Sequence, residues 1–100
     1  MTFQATTNSN VNAQEAQRLV NQQIVTELGT GLIARDPKLI TNGRQVVWRI
    51  PIVLSLPDLG DLGQVGTVDV DAQSGSIVTT TDSLKKIIQR SRSLYAATTS

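Results

Sequence analysis

Between Arg44 and Leu56 the apolar residues fall on the even numbers, Val46, Trp48, Ile50, Ile52, Leu54 and Leu56, with Gln45, Arg49, Pro51 and Ser55 between them. Side chains alternate across a strand, so this period of two predicts one long strand with a single buried face. Val47 and Val53 interrupt the polar face, which is therefore expected to be partly covered. Pro51 has no N–H to give a neighbour, which places the middle of the strand at a sheet edge or a bulge. An open edge there is a candidate surface for a partner's strand.

Further along, Val68 and Val70 alternate with Thr67, Asp69 and Asp71, and Ile77-Val78 resume after Ala72-Gln73-Ser74-Gly75. Glycine tolerates the left-handed backbone that closes a short turn, so a hairpin of residues 65–72 and 76–80 is expected. Upstream, Asn42-Gly43 is the preferred pair for a two-residue hairpin loop. It would join a strand over Lys38 to Thr41 to the long strand, with Thr41 opposite Arg44, Leu39 opposite Val46 and Pro37 near Trp48. Asp36-Pro37 argues against a continuous strand through residues 31–41.

Two segments change period. Ala16, Leu19, Val20, Ile24 and Leu28 recur at spacings of three and four, predicting a helix over 12–28 with one apolar stripe. Asn12 and Glu15 make a capping-box-like start and Gly29 a stop, while Gln14, Gln17, Arg18, Gln22 and Gln23 form the wet side. A second helix over 82–96, capped by Thr81 or Asp82, gathers Leu84, Ile87, Ile88, Ser91, Leu94 and Tyr95 on one side. Residues 1–10 read as a flexible Thr-, Asn- and Ser-rich arm, 11–96 as one domain and 97–100 as a fraying tail. The fold class is α+β, of order α-β-β-β-β-α, an antiparallel sheet of about four strands with the N-terminal helix on one face. The pattern leaves open whether helix 82–96 packs on its own sheet or on another chain's.

Composition narrows the chemistry. One hundred residues with 39% hydrophobic and three aromatic side chains give a single, largely aliphatic core, so a second copy or a partner would add useful buried surface. Trp48, on the apolar face of the longest strand, reads as a core anchor. The chain has no cysteine and no histidine, which removes disulfides, thiolate nucleophiles, the usual general base and the common transition-metal ligands. No serine has a nucleophile-elbow spacing, and Asp69 and Asp71 alternate on the outer face of a strand as solubilising groups. The repeated Asp-Leu-Gly at 58–60 and 61–63 brings Asp58 and Asp61 close enough to raise the question of a hard cation. The spacing of a calcium loop is absent, however, and turn chemistry explains the residues better. No lysine follows in a phosphate-loop position. No catalytic, metal or cofactor-binding residue is assigned, and no cofactor is expected. The first ten residues lack the basic and apolar regions of a signal peptide and no segment has the length of a membrane span, so a cytoplasmic location is expected.

Net charge is +1 but unevenly spread: residues 58–71 hold four aspartates and no cation, whereas 82–100 hold Lys85, Lys86, Arg90 and Arg92 against Asp82. A basic helix gains on-rate and specificity against an acidic neighbour. The reading is a small non-enzymatic protein-binding or regulatory module that docks through Lys85, Lys86, Arg90 and Arg92 or through the edge near Pro51. Its partner is another protein or a second copy, which includes service as the neutralising half of a two-protein system. The alternative is nucleic-acid binding by the same cations with Arg35, Lys38, Arg44 and Arg49, disfavoured by the near absence of aromatics for base stacking.

An amphipathic helix, a strand with a central tryptophan (VVWRIPI) and the turn Val70-Asp71-Ala72-Gln73-Ser74-Gly75-Ser76-Ile77 together resemble the PepSY-type domain across about residues 12–80. The resemblance implies a helix followed by a β-meander, and a non-catalytic role in inhibiting or regulating peptidases or in the cell envelope. The chain departs from that pattern in having no export-like start and in adding a basic C-terminal helix. What carries over is the general role of a small interaction domain.

Overall fold

The computed structural model describes residues 11–29 and 31–99, so the arm expected at 1–10 lies outside the described residues. Helix α1 comprises Ala13–Val20, a wider π turn at Asn21–Val25 and a last turn at Thr26–Leu28. Four strands follow, β1 Leu32–Ala34, β2 Lys38–Asn42, β3 Gln45–Leu56 and β4 Gly60–Asp71, and then helix α2, Thr81–Thr99. The architecture is α+β in the order α-β-β-β-β-α, with all strand pairs antiparallel.

β3 is the middle of the sheet. β4 runs along one side of it for its full length, and β1 and β2 lie end to end along the other. β1 pairs as Leu32↔Leu54 and Ala34↔Ile52, whereas β2 pairs as Lys38↔Arg49 and Asn42↔Gln45, a slip of one residue across Arg35-Asp36-Pro37. Pro51 explains the slip. Its carbonyl accepts from the Arg35 N–H at 2.9 Å, so its nitrogen points to the same side, at the break between β1 and β2. The ladder to β4 loses nothing, because Pro51 faces Thr67 in a pair that exchanges no backbone hydrogen bonds. The proline therefore sits at an irregularity in the interior of the sheet, and the edge expected beside it is absent.

Four other expectations shift. The turn into β3 is Gly43-Arg44, with Gly43 at φ +63° and Asn42 opposite Gln45, so Leu39 faces Trp48 instead of Val46. Glycine first in the loop suits a II′-like turn, and sliding the loop by one residue preserves which face each side chain takes. The segment expected to be a glycine loop is mostly strand: β4 begins at Gly60. Two bulges, at Leu62 and Val65, absorb an extra residue each. The final hairpin has a full first arm, but its return arm is reduced to a single bridge, Val70↔Ile77, flanked by Asp71 N–H to Ser76 O at 2.8 Å and Val78 N–H to Asp69 O at 2.8 Å. The tail expected to fray at 97–100 continues α2 through Thr99, and Thr98 Oγ1 donates to the Leu94 carbonyl at 2.8 Å.

Both helices cover the same face. Ala16 and Val20 of α1 and Ile87 of α2 join Ile50, Ile52 and Leu54 of β3 and Val65, Val68 and Val70 of β4 in one core. Trp48 packs at the margin of this core, half-buried, and its Nε1–H donates to the Val11 carbonyl at 2.7 Å. The Val11 N–H in turn donates to the Ala72 carbonyl at 2.7 Å, so the start of α1 is tied to both β3 and the hairpin turn. As expected, Asn12 caps the helix, its Oδ1 accepting from the Glu15 N–H at 2.8 Å.

The glutamine side of α1 is not uniformly wet. Ala34 turns its backbone groups away from β3, and α1 meets both: Gln17 Nε2 donates to the Ala34 carbonyl at 3.0 Å and Asn21 Oδ1 accepts from the Ala34 N–H at 3.1 Å. Two amide side chains thus stand in for a neighbouring strand and close that part of the edge. Asn21→Ala leaves the Ala34 N–H without its partner and is expected to cost about 1–2 kcal/mol. Gln23→Ala, at an exposed position of the same helix, is expected to be near neutral. Urea denaturation of the two variants checks this, and equal midpoints would refute it.

α2 rests on a strip of β4 from which side chains are missing. A Cβ at Gly66 would lie 2.5 Å from Ile87 Cγ1, and one at Gly63 would lie 3.2 Å from Leu94 Cδ2. Ile87 is buried, and the atoms that a Cβ at Gly66 would meet include the base of its side chain. Gly66→Ala is expected to destabilise by about 1–3 kcal/mol through overpacking. The double variant Gly66→Ala/Ile87→Ala should lose less than the two single losses added together. Strict additivity in thermal melts would show that the helix does not sit there.

Candidate functional site

α2 begins one residue earlier than its sequence suggests. Thr80 caps it, its Oγ1 accepting from the Ser83 N–H at 3.2 Å and donating to Ser83 Oγ at 3.1 Å. Of the expected stripe, Ile87 is buried, Leu84, Ile88, Ser91 and Leu94 are half-buried, and Tyr95 is 50% exposed. The helix therefore packs on its own sheet through one side and presents the rest of its circumference.

Lys85, Lys86, Arg90 and Arg92 are all exposed, and none of them enters an ion pair among the described residues. They do not form one patch. At 100° per residue Lys86 and Arg90 fall on one flank of the buried stripe and Lys85 and Arg92 on the other. Lys86 and Arg90 line a groove of about 380 Å³ between α2 and β4, with Gly66, Thr67, Asp69, Thr79 and Ser83 among its walls. Arg92 lines a separate, more apolar hollow of about 350 Å³ with Leu54, Leu56, Ser91 and Tyr95. Lys85 lines neither. Pro51, the remaining candidate, is half-buried inside the central strand and apart from these cations.

The cations of the sheet are engaged differently. Arg49 clasps Asp69 on the cross-strand neighbour with Nε at 3.0 Å and Nη2 at 3.1 Å, and this contact raises the arginine above its ordinary pKa. Arg35 holds Asp61 through both carboxylate oxygens, spanning the sheet from the β1 side to β4. On α1, Arg18 lies 3.7 Å from Glu15. Lys38, at the start of β2, and Arg44, in the β2–β3 turn, have no ion-pair partner among the described residues.

The carboxylates singled out by the sequence have structural partners. Hydrogen bonding from Arg35, then from Ser55, lowers the pKa of Asp61. Asp71 accepts from the N–H groups of Gln73 at 2.8 Å and Ser74 at 3.0 Å, a turn in which the side chain stands in for backbone. Those N–H groups, Ser74 first, lower its pKa. Asp58 is exposed, and among the described residues no three His, Cys, Asp or Glu side chains gather to hold a metal ion. No helix among them is long and apolar enough to cross a membrane.

Thr67, Thr79 and Ser83 belong to the groove but carry no mark in the sequence, since threonine and serine recur throughout the chain. Gly60, Gly63 and Gly66 recur every third residue and read as a loop in the sequence, whereas the structure places them in β4 beside its two bulges. Comparison of the chain with protein-family profiles, curated proteins and solved structures yields no match.

Asp61 and Asp71 have folded-state pKa values below their unfolded ones, so their contribution is present above the unfolded value, near pH ~4, and lost as pH falls through the folded values. Melting temperature is expected to be flat from neutral pH to about 4 and to fall below it. In the double variant Asp61→Asn/Asp71→Asn the acid fall should be shallower. An unchanged slope in thermal melts across this range would show that other carboxylates dominate.

Proposed function

We propose that this chain is a small, non-enzymatic protein-binding or regulatory module of PepSY-like character, working in the cytoplasm and docking through α2. The observation that carries the reading is that all four cations of α2 are exposed and have no ion-pair partner among the described residues, while Arg35, beside β1, and Arg49 of β3 are both bonded to carboxylates. Surface cations left free on a helix that is otherwise anchored keep their charge available for an acidic neighbour. The helix-first order, the strand with Trp48 and the Asp71 turn fit the PepSY likeness. That likeness favours a domain that regulates another protein by binding it. A partner of acidic character is favoured over nucleic acid, because the described residues hold only two aromatics to stack on bases. Trp48 bonds to Val11, and Tyr95 lies by the apolar hollow on the other flank of α2.

Capture from a lysate of the source organism, using the tagged protein with nuclease present, tests this. The expected outcome is one acidic protein retained by the wild-type chain and lost by the variant with glutamate at 85, 86, 90 and 92. Retention that disappears on nuclease treatment would turn the reading to nucleic acid. Return of only the chain itself, unaffected by the charge reversal, would turn it to self-association away from α2.

A further inference from the structure

β4 leaves a short length of its outer edge uncovered, and that length lies under Lys86 and Arg90. Asp69 and Asp71 turn their backbone groups outward and are met there by Val78 and Ser76. At Thr79 the covering segment departs: its side chain, not its backbone, accepts from the Asp69 N–H at 2.7 Å, and Thr80 already caps α2. By the alternation of an antiparallel strand, Thr67 also turns its N–H and C=O outward, and among the described residues neither has a hydrogen-bond partner there. This gap is part of the wall of the 380 Å³ groove.

The chemistry around the gap is one-sided. Lys86 and Arg90 stand one helical turn apart with no ion pair among the described residues, and Thr79 and Ser83 add hydroxyls. Asp69 also lines the groove, but Arg49 holds both of its carboxylate oxygens. The groove thus offers two cations together with a backbone donor and a backbone acceptor. An extended peptide satisfies both backbone groups, whereas a phosphodiester brings acceptors only and would leave the Thr67 carbonyl unserved. Among the described residues no aromatic side chain lines the groove to stack a base. The bulge at Val65 ends the regular edge two residues before Thr67, so few backbone bonds are available and charge must supply much of the affinity.

We propose that this groove binds an extended, acidic segment of a partner protein, which adds as a short strand against Thr67 and lays its carboxylates on Lys86 and Arg90. The proposal rests on the reading of α2 as the docking element and specifies which flank is used.

The test is fluorescence anisotropy with a labelled peptide alternating glutamate and valine, beside three probes: its glutamine–valine and glutamate–proline counterparts and a short oligothymidylate. The glutamate–valine peptide is expected to bind, and to weaken with added salt. Binding should fall by about tenfold or more for the glutamine peptide, which lacks the charge, and for the proline peptide, which keeps the charge but has fewer N–H donors. Lys86→Glu/Arg90→Glu should abolish it, while Lys85→Glu/Arg92→Glu, on the other flank, should weaken it far less, through long-range charge alone. Circular dichroism checks that both variants fold. Equal binding of the glutamate–proline peptide would overturn the strand addition, and preference for oligothymidylate would overturn the peptide as occupant. The same two variants applied to a captured partner separate the readings. Loss only with Lys85→Glu/Arg92→Glu removes the groove but keeps α2 as the docking element, and loss with neither removes both.

Discussion

The backbone of β3 must serve a neighbour on each side along its whole length, and at its midpoint Pro51 withdraws one donor. The ladder to β4 is spared because Pro51 falls in a pair that exchanges no hydrogen bonds there. On the other side the missing N–H has to coincide with a break. Asp36-Pro37, a sequence poorly suited to a continuous strand, supplies it, so what would be one edge strand becomes β1 and β2 with registers one residue apart. A proline in β3 and one in the link between β1 and β2 thus mark one irregularity, and just before it the backbone groups of Ala34 turn away from β3, where Gln17 and Asn21 of α1 reach them. The position of the first helix follows from a constraint in the third strand.

On the β4 side the organising device is the removal of side chains. Gly63 and Gly66 let α2 approach closely enough for Ile87 to be buried, and the bulges turn Leu62 and Val65 toward the core while the strand keeps its length. With α2 fixed through that one side, its cations divide into two flanks with different surroundings: a polar groove beside Lys86 and Arg90, an apolar hollow beside Arg92. A charge-reversal experiment that treats the four as equivalent would blur two different surfaces.

Much of this was legible in the residues because the governing signal was local. The alternation from Val46 to Leu56, the cap at Asn12, the stop at Gly29 and the stripe of α2 each depend on neighbours within a few positions, and each is found in the structure. The misses have longer-range causes. Pro51 carries no sign of which of its two flanks will be hydrogen-bonded, because that is set by a register decided elsewhere in the sheet. The glycines of 60–66 look like a loop until a helix is laid over them. Gln17 looks solvated, and Asn21 carries no signal, until the edge of β1 arrives. At the candidate surface, the exposure of Lys85, Lys86, Arg90 and Arg92 was readable from helical periodicity. Their division, and the bare backbone of Thr67 beside two of them, required the sheet.

The way α2 is seated also sets how firmly it stays seated. It contributes one buried and a few half-buried side chains to the core, where β3 alone contributes three buried ones. Burial of an aliphatic side chain is worth about 1.5–3 kcal/mol, so lifting α2 from the sheet costs far less than opening the sheet itself. The amides of α2 are then expected to exchange faster than those of β3. A protein built this way keeps a rigid meander and carries its charged surface on its most readily detached element, which gives any occupant that touches both β4 and α2 the means to change the lifetime of the closed form.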